Sequence, residues 1–364
     1  MFVQFNPARQ IKFSNHKLGD GCPCFITFEA GPTHDSVDSA KSLVSLAAQA
    51  GANAIKFQIF DADRLVADKK QLFSYQVLVD KQSGKTETVE EPLYDILRRR
   101  QLSHPEWKEI KRLSDALGLA FFATVGFEED LAFLENLDCD SVKIASADIN
   151  HWPLIRRAAQ TGMCIQLDTG NATLGEIEDA VDIIHHEGNE RIIIHQCPSG
   201  YPAYLPSVNL RIIETLRQVF PYPVAYSDHT PGHDIDIAAL AMGANLIEKT
   251  ITLDRMTKSV EHMFSLEPDD MHNFIKRIRD VEEALGNPRR IMQKEELANR
   301  NKIRRSVFLT KDTPAGTMLK DLAIEFRRPG DGISPDQYEK MSTCVTKHSL
   351  KSGDKLMKVN ICYT

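Results

Sequence analysis

The sequence predicts a (β/α)8 (TIM) barrel followed by a small β-rich domain, and three observations support this. Apolar, β-branched runs alternate eight times with segments of helical periodicity between residue 24 and about residue 286. No G-x-G-x-x-G or G-x-x-x-x-G-K-[ST] loop follows any strand candidate, which disfavours the alternative, a doubly wound open sheet. After about residue 302 the basic residues outnumber the acidic ones, and turn residues become frequent.

The barrel strands are predicted from short apolar runs that end in polar residues. The eight candidates are residues 24–29, 54–58, 119–124, 141–146, 164–168, 191–196, 224–228 and 246–251. Amphipathic segments lie between them, and several end at a glycine of the kind that caps helices, as in residues 37–51 and 174–188.

Three further segments complete the predicted layout. Residues 61–103 are long for a barrel loop, so we expect a lid or short elements of their own there. We place the barrel domain at 1–290, a hydrophilic linker helix at 291–305 and the β-rich domain at 306–364. From Lys302 onward there are 12 basic and 7 acidic residues, whereas residues 1–301 carry a net charge of -12.

Composition limits the function classes. The chain has 364 residues, 42% of them hydrophobic and 26% charged, which is typical of a globular protein. Its net charge of -7 disfavours a nucleic-acid partner, and no apolar run is long enough to span a membrane. The beginning of the chain lacks the apolar region of a signal peptide. Seven scattered cysteines are expected to be reduced thiols, and we expect a cytoplasmic protein.

Polar residues at the strand ends predict a ligand site. In barrel enzymes the carboxyl ends of all strands face one pocket. Two lysines, Lys56 and Lys143, and several hydroxyls there would suit an anion such as a phosphate ester or a carboxylate. The carboxylates Glu29 and Asp148 and the imidazole of His229 are candidates for proton transfer and for holding a divalent ion.

Each of these residues also has a structural explanation when taken alone. A lysine after a strand is often a solvated loop residue, and His229 could simply belong to a turn. Agreement among several strand ends favours a common site over separate structural roles.

The strand ends and the tail resemble the sialic acid synthase family, which includes proteins like the spore coat polysaccharide protein E. These enzymes condense phosphoenolpyruvate with an N-acylated hexosamine. The matching motifs are F-E-A-G-P-T-H from Phe28, K-F-Q at Lys56, K-I-A-S-A-D-I-N at Lys143, L-D-T-G at Leu167, Q-C-P-S-G-Y-P at Gln196, Y-S-D-H-T at Tyr226, I-E-K-T-I-T-L-D-R at Ile247 and R-R-P-G-D-G at Arg327. They occur in order over almost the whole chain.

The resemblance implies roles for individual residues. Glu29, Lys143 and Asp148 would be catalytic, with Asp148 managing water or a proton. Positions that would bind phosphoenolpyruvate or the sugar are Lys56, Gln58, Thr124, Ser146, Asp168, Ser199, Tyr201, Ser227 and Glu261.

The resemblance also implies a metal and a subunit partner. His229 matches one of two histidines that hold Mn²⁺ or Mg²⁺ in the family. The tail resembles the family's antifreeze-like (SAF) domain, in which the residue matching Arg328 reaches the active site of the other subunit. We therefore expect a domain-swapped homodimer.

Two of the departures from the family pattern bear on the predicted metal site. Thr250 stands where the family has its second metal-binding histidine, and Asp168 stands where a serine is usual. Asp168 could supply a hard oxygen ligand instead, which leaves a synthase with a rearranged metal site as the first interpretation. The alternatives are a divergent barrel lyase or aldolase acting on a related keto sugar acid and a non-catalytic sugar-binding protein.

Overall fold

The computed structural model describes residues 9–362 and divides the chain into two compact units, with the boundary between Gly286 and Asn287. The first unit contains a closed barrel of eight parallel strands. The fold class is therefore confirmed for this unit. The strands of the whole chain are β1 (Gln10–Phe13), β2 (His16–Gly19), β3 (Phe25–Glu29), β4 (Ala54–Ile59), β5 (Leu72–Asp80), β6 (Lys85–Pro92), β7 (Ala120–Val125), β8 (Ser141–Ile144), β9 (Cys164–Asp168), β10 (Ile192–Gln196), β11 (Val224–Asp228), β12 (Leu246–Thr250), β13 (Ser306–Leu309), β14 (Ile324–Arg327), β15 (Val345–Thr346) and β16 (Ile361–Cys362).

Eight of these strands form the barrel, in the order β3, β4, β7, β8, β9, β10, β11 and β12, with β12 pairing back to β3. Each arises from one of the eight predicted apolar runs. The helices are α1 (Val37–Ala50), α2 (Ala62–Leu65), α3 (Leu93–Arg98), α4 (His104–Ala116), α5 (Glu128–Asn136), α6 (Trp152–Gln160), α7 (Leu174–His186), α8 (Leu205–Val208), α9 (Ile212–Val219), α10 (Asp234–Ala241), α11 (Pro268–Leu285), α12 (Lys294–Ile303) and α13 (Pro335–Lys340).

The outer surface of the barrel is covered by the apolar faces of the helices. In α1, for example, Leu43, Val44 and Ala47 are fully buried, and Gly51 ends the helix in the left-handed conformation. Together with outward-facing strand residues such as Ile194, these faces form the largest apolar cluster of the protein. This cluster fixes the strand ends that carry the site.

The N-terminal mouth of the barrel is closed by a hairpin that the sequence analysis did not identify. Strands β1 and β2 pair in antiparallel fashion, and Ile11, Phe13 and Leu18 are buried against Phe25, Phe122 and other residues that point into the barrel. The first layer inside the barrel is therefore apolar, and polar side chains begin only above it.

The insertion between β4 and β7 has its own structure, as its length predicted. It contains α2, the antiparallel hairpin of β5 and β6, and α3. Tyr75, Val77 and Ile96 form a small apolar cluster with Val260 of the loop after β12. This cluster joins the insertion to a barrel loop near the strand ends.

The second unit is small and rich in β-structure. Strands β13 and β14 form one antiparallel pair and β15 and β16 another, around a core that includes Val307, Leu319 and Leu356. The unit begins at Asn287, so the predicted linker helix, observed as α12, belongs to it. Its antifreeze-like identity stays a prediction. No helix within residues 9–362 combines the length and the apolar character that crossing a membrane requires.

Candidate active site

A cavity of about 290 Å³ opens at the carboxyl ends of the barrel strands. Ten of the predicted site residues line it: Glu29, Lys56, Gln58, Thr124, Ser146, Asp148, Asp168, Tyr201, His229 and Glu261. Every second side chain of a strand points into the barrel. The last inward-facing side chains of neighbouring strands therefore lie close together at one end of the barrel.

Four predicted residues do not line the cavity. Lys143 and Ser227 are buried beneath it, with 0% and 1% of their surface exposed. Ser199 is exposed and its hydroxyl donates to the Asn171 side chain (2.8 Å). Arg328 is exposed in the second unit, whereas every residue that lines the cavity belongs to the first. Its predicted role in a partner subunit stays a prediction.

The floor of the cavity is a buried cluster of two lysines and three carboxylates, which we call the charge cluster: Lys56, Lys143, Glu29, Asp168 and Glu248. Lys56 pairs with Glu29, and its Nζ lies 3.1 Å from Glu248 Oε1. Lys143 Nζ lies 2.7 Å from Glu248 Oε1 and 3.0 Å from Asp168 Oδ1. With all five groups ionised the cluster carries one surplus negative charge.

The Lys143 ammonium is enclosed by three oxygen atoms of the protein. It donates to the Ser227 hydroxyl (2.9 Å) and to Glu248, and Asp168 is its third neighbour. The predicted role of Lys143 toward an anionic ligand stays a prediction. Lys56 has two carboxylate partners, which leaves one of its hydrogens for a ligand.

Burial and the lysines set the pKa values of the three carboxylates in opposite directions. Burial raises the pKa of Glu29 and of Asp168 in spite of the nearby lysines. At Glu248 burial acts in the same sense, but Lys143 and Lys56 outweigh it and hold the pKa far below its usual range. Glu248 therefore stays ionised, and any proton that the charge cluster takes up goes to Glu29 or Asp168.

Below the charge cluster, a chain of hydrogen bonds orients Ser227. His195 Nε2 lies 3.0 Å from Gln166 Oε1, which can only accept, so this nitrogen carries the proton. Its Nδ1, 2.9 Å from the Ser227 hydroxyl, is then the acceptor. Burial lowers the pKa of His195 well below its usual value, so the ring is neutral. Every second residue of β9 and of β10 points into the barrel. This alternation is the sequence signal that could have placed Gln166 and His195 inside the barrel, below the charge cluster.

The loop after β12 contributes a carboxyl group to the cavity wall. Glu261 has a left-handed backbone (φ 73°), which is uncommon for a residue other than glycine and is typical of functional loops. The Thr250 hydroxyl donates to its Oε2 (3.5 Å). Burial, with the negative charge of Glu29, raises the pKa of Glu261 to about 8, so this carboxyl holds a proton near neutral pH.

Asp148 and His229 face the cavity from two other loops. Burial raises the pKa of Asp148. The His229 ring lies 4.6 Å from the Tyr201 ring, and its Nδ1 donates to the Pro198 carbonyl (3.2 Å). Burial lowers the pKa of His229 to about 4, which leaves a neutral ring whose Nε2 has a free lone pair.

These residues do not assemble into a ligand set for Mn²⁺ or Mg²⁺. Thr250 stands where an imidazole would be needed, and Oδ1 of Asp168, the predicted substitute, is paired with Lys143. Across residues 9–362 no three His, Cys, Asp or Glu side chains are grouped as a metal site. Among the described residues, His229 is the one histidine that lines the cavity, so a metal there would have a single imidazole ligand.

The sequence analysis assigned no role to two parts of the cavity. Glu248 is the carboxylate that both lysines share, although its strand-end position was visible in the sequence. Leu65 and Leu97, from α2 and α3 of the insertion, supply apolar wall. Nothing in the local pattern of the insertion indicated which of its residues would face the barrel.

Comparisons with known proteins agree with this architecture. The NeuB family model matches residues 43–290. An N,N'-diacetyllegionaminic acid synthase of Legionella pneumophila is 32% identical over 94% of this chain and 98% of its own length. The N-acetylneuraminate-9-phosphate synthase of Homo sapiens is also 32% identical, over 83% of this chain and 82% of its own.

The solved structures show the same relation. The crystal structure of an N-acetylneuraminic acid synthetase from Leptospira borgpetersenii has a TM-score of 0.70 and 29% identity, and the match covers 80% of this chain and 95% of that one. The spore coat polysaccharide protein spsE of Bacillus subtilis has a TM-score of 0.65 and 26% identity, over 98% and 99% of the two chains. On these grounds, the chain belongs to the NeuB family.

Proposed function

We propose that this protein condenses phosphoenolpyruvate with an N-acylated hexosamine to give a nine-carbon sugar acid and phosphate. The observation that carries the proposal is the polar cavity at the strand ends of a chain that is related over nearly its full length to named sugar-acid synthases. The protein is an enzyme, and ten of the residues expected to act in such a reaction face this one cavity.

The reaction is balanced by one molecule of water. C3 of phosphoenolpyruvate bonds to the aldehyde carbon of the open-chain sugar, and the aldehyde oxygen takes up a proton. Water adds at C2, and phosphate leaves as the C2–O bond breaks. The site must therefore stabilise a developing alkoxide, hold an anionic substrate and accept a proton from water.

The residues of this chain can serve each need. Glu261, which holds a proton near neutral pH, donates to the aldehyde oxygen. Asp148 accepts a proton from the water, and Lys56 uses its remaining hydrogen to hold the anionic substrate. Lys143 is a positioning residue, because its three contacts set the places of Asp168, Ser227 and Glu248. A divalent ion would add a Lewis acid near His229, but no step here depends on it.

Other parts of the proposal follow from the family relation. The enzyme forms a domain-swapped homodimer in which the partner subunit's Arg328 contacts the acyl group of the sugar. The reaction takes place in the cytoplasm, and its product supplies a surface polysaccharide or glycan. The insertion at residues 61–103 contributes to the choice of acceptor sugar, since two of its leucines line the cavity.

The test is phosphate release from phosphoenolpyruvate with a panel of N-acylated hexosamines, in Mn²⁺, in Mg²⁺ and in EDTA. We expect sugar-dependent release that Glu261→Gln and Lys143→Ala reduce at least a hundredfold. Folding of both variants is checked by their thermal transitions.

Three other results would contradict the proposal. Turnover of a keto sugar acid without phosphoenolpyruvate, with borohydride trapping of a lysine adduct, would show a lyase or aldolase. Saturable sugar binding without a product under every metal condition would show a binding protein. Full activity of Lys143→Ala would exclude the charge cluster from the reaction.

A further inference from the structure

The loop between β12 and α11 carries Glu261 and is closed at its base. The Thr252 N–H donates to the Leu266 carbonyl (2.9 Å), and the Leu266 N–H donates to the Thr250 carbonyl (3.0 Å). Glu261 lies inside this closed loop, is 8% exposed and lines the cavity of the active site. The position of its carboxyl therefore depends on the shape of the loop.

The backbone at Glu261 is in a conformation that needs support. Its φ of 73° lies in the left-handed region, which a residue other than glycine occupies only where its surroundings hold it there. The Ser265 hydroxyl donates to the Glu261 carbonyl (2.6 Å), and the Thr250 hydroxyl donates to Glu261 Oε2 (3.5 Å). These contacts hold Glu261 within its own loop, and contacts with the insertion between β4 and β7 hold the loop.

The insertion packs on this loop through apolar side chains. Val260, the residue before Glu261, is 6% exposed and lies in a small apolar cluster whose other buried members belong to the insertion: Tyr75, Val77 and Ile96. The residue after Ile96 in α3 is Leu97, which lines the cavity. Val260 is thus the point at which the core of the insertion meets the loop that carries Glu261.

Ion pairs join the same two segments at the surface. Lys81 Nζ, in the turn between β5 and β6, lies 2.8 Å from Asp254 Oδ1 in the loop and 2.5 Å from Glu267 Oε1 at its end. Lys258 Nζ of the loop lies 3.7 Å from Glu87 Oε1 of β6. Because a two-stranded hairpin is only marginally stable alone, these contacts stabilise the hairpin and the loop together.

We propose that Val260 is a positioning residue which, packed against the hairpin of β5 and β6, holds the Glu261 carboxyl at the wall of the cavity. The inference rests on the proposed function, because Glu261 is the group that donates a proton to the aldehyde oxygen in that reaction. The insertion then acts on the reaction through Glu261, in addition to supplying the two leucines of the cavity wall. Loosening its contact with Val260 should reduce turnover without weakening substrate binding.

Steady-state phosphate release tests this with a matched pair of variants. Val260→Ala and the control Val181→Ala shorten side chains that are each 6% exposed, but Val181 lies on α7 in the outer apolar layer of the barrel. We expect both variants to lower the thermal midpoint. Only Val260→Ala should lower kcat, by at least fivefold, with the KM of both substrates changed less than twofold, because a proton donor acts mainly in the transition state.

A double variant shows whether Val260 acts through Glu261. In Glu261→Gln the proton donor is already lost, so adding Val260→Ala should change kcat for phosphate release by less than twofold. Two reductions that multiply would overturn the positioning role, since they would show that Val260 acts independently of Glu261.

Lys81→Met weakens the same contact from its polar side and leaves the apolar cluster intact, so it keeps the test available should Val260→Ala misfold. Its control is Lys69→Met, which breaks an exposed ion pair with Asp63 inside the insertion. We expect kcat to be at least twofold lower in Lys81→Met and unchanged in Lys69→Met. Equal values in these two variants would contradict the role of the hairpin.

Crystal structures of the wild type and of Val260→Ala give a readout that does not require turnover. We expect Glu261 of the variant to leave the left-handed region and its carboxyl to move away from the cavity wall. A Glu261 that stays in place, or an active wild type whose kcat survives Val260→Ala unchanged, would overturn the positioning role alone. A wild type that releases no phosphate with any sugar would refute only the proposed reaction, and the two crystal structures would still decide the position of Glu261.

Discussion

Individual residues in the floor of the cavity are arranged so that negative charge exceeds positive charge. Lys56 and Lys143 face Glu29, Asp168 and Glu248. Asp168 and Glu248 both line the cavity and pair with Lys143, but only Glu248 also pairs with Lys56. Removing the Asp168 carboxylate therefore lowers the negative charge of the floor and leaves both ion pairs of Lys56 in place.

Replacing Asp168 with serine should strengthen anion binding. The substitution removes one negative charge and frees one hydrogen of Lys143, so we expect inorganic phosphate to bind about tenfold more tightly, which corresponds to about 1.4 kcal/mol. Calorimetric titration measures this. Asp148→Ser is the matched control, since it removes a cavity carboxylate that has no lysine partner, and it should have a smaller effect. Equal effects of the two variants would contradict the interpretation.

Glu261 should make the stability of the protein depend on pH. Its pKa is raised by burial to about 8 from 4.5, so the folded state holds a proton that the unfolded chain has already released between these two pH values. Stability contributed by this group is complete below about pH 4.5 and decreases as the pH rises to about 8. In Glu261→Gln the thermal midpoint should decrease less between pH 5 and pH 8. Parallel pH profiles for the wild type and the variant would exclude this role.

Among the structural elements, the ends of β11 and β12 are held together by a buried ion-pair network outside the barrel. Lys249 pairs with Asp228, lies 3.1 Å from Asp236 of α10 and donates to the Thr230 carbonyl (2.7 Å). Asp228 also accepts from the Tyr226 hydroxyl (2.9 Å). This network restrains the backbone on both sides of His229 and sets the positions of Ser227 and Glu248.

Lys249→Met should be strongly destabilising, because it leaves Asp228 and Asp236 buried without a cation. We expect a loss of about 3 to 5 kcal/mol at pH 8, measured by denaturant unfolding. The loss should be smaller at pH 5, where the buried carboxylates can be protonated, since burial and Asp228 already raise the pKa of Asp236. Lys276→Met breaks an exposed ion pair with Asp280 and is the control, with an expected change below about 0.5 kcal/mol. A loss that did not depend on pH would contradict the electrostatic explanation.

For the whole molecule, the two units have separate apolar cores. The barrel clusters contain residues from Ile11 to Ile278, and the cluster of the second unit contains residues from Val307 to Ile361. Because no buried residue is shared between them, each unit has the core that cooperative unfolding requires.

We therefore expect calorimetry to resolve two transitions. Ile194→Ala in the barrel and Leu319→Ala in the second unit remove fully buried side chains, each with an expected loss of about 2 to 5 kcal/mol. Each substitution should lower one transition only. A single transition that both substitutions shift would show that the units unfold together.

Much of the fold and part of the site could be predicted because they depend on local periodicity. Every barrel strand was recognisable from its apolar run, and the alternation along a strand determines which side chains point inward at its end. That is why ten predicted residues, from Glu29 to Glu261, line one cavity. The hairpin of β1 and β2 was missed because its function is to close the barrel, which only the assembled barrel reveals.

By itself, the sequence determined the barrel, the location of the site and the types of group that reach it. Only the tertiary structure decided how those groups are paired. It enclosed Lys143 between Ser227, Glu248 and Asp168, and it paired Glu248 with both lysines. The physical reason is that strand and helix patterns depend on neighbours a few residues apart, whereas the state of a charge depends on partners that lie a hundred residues away along the chain.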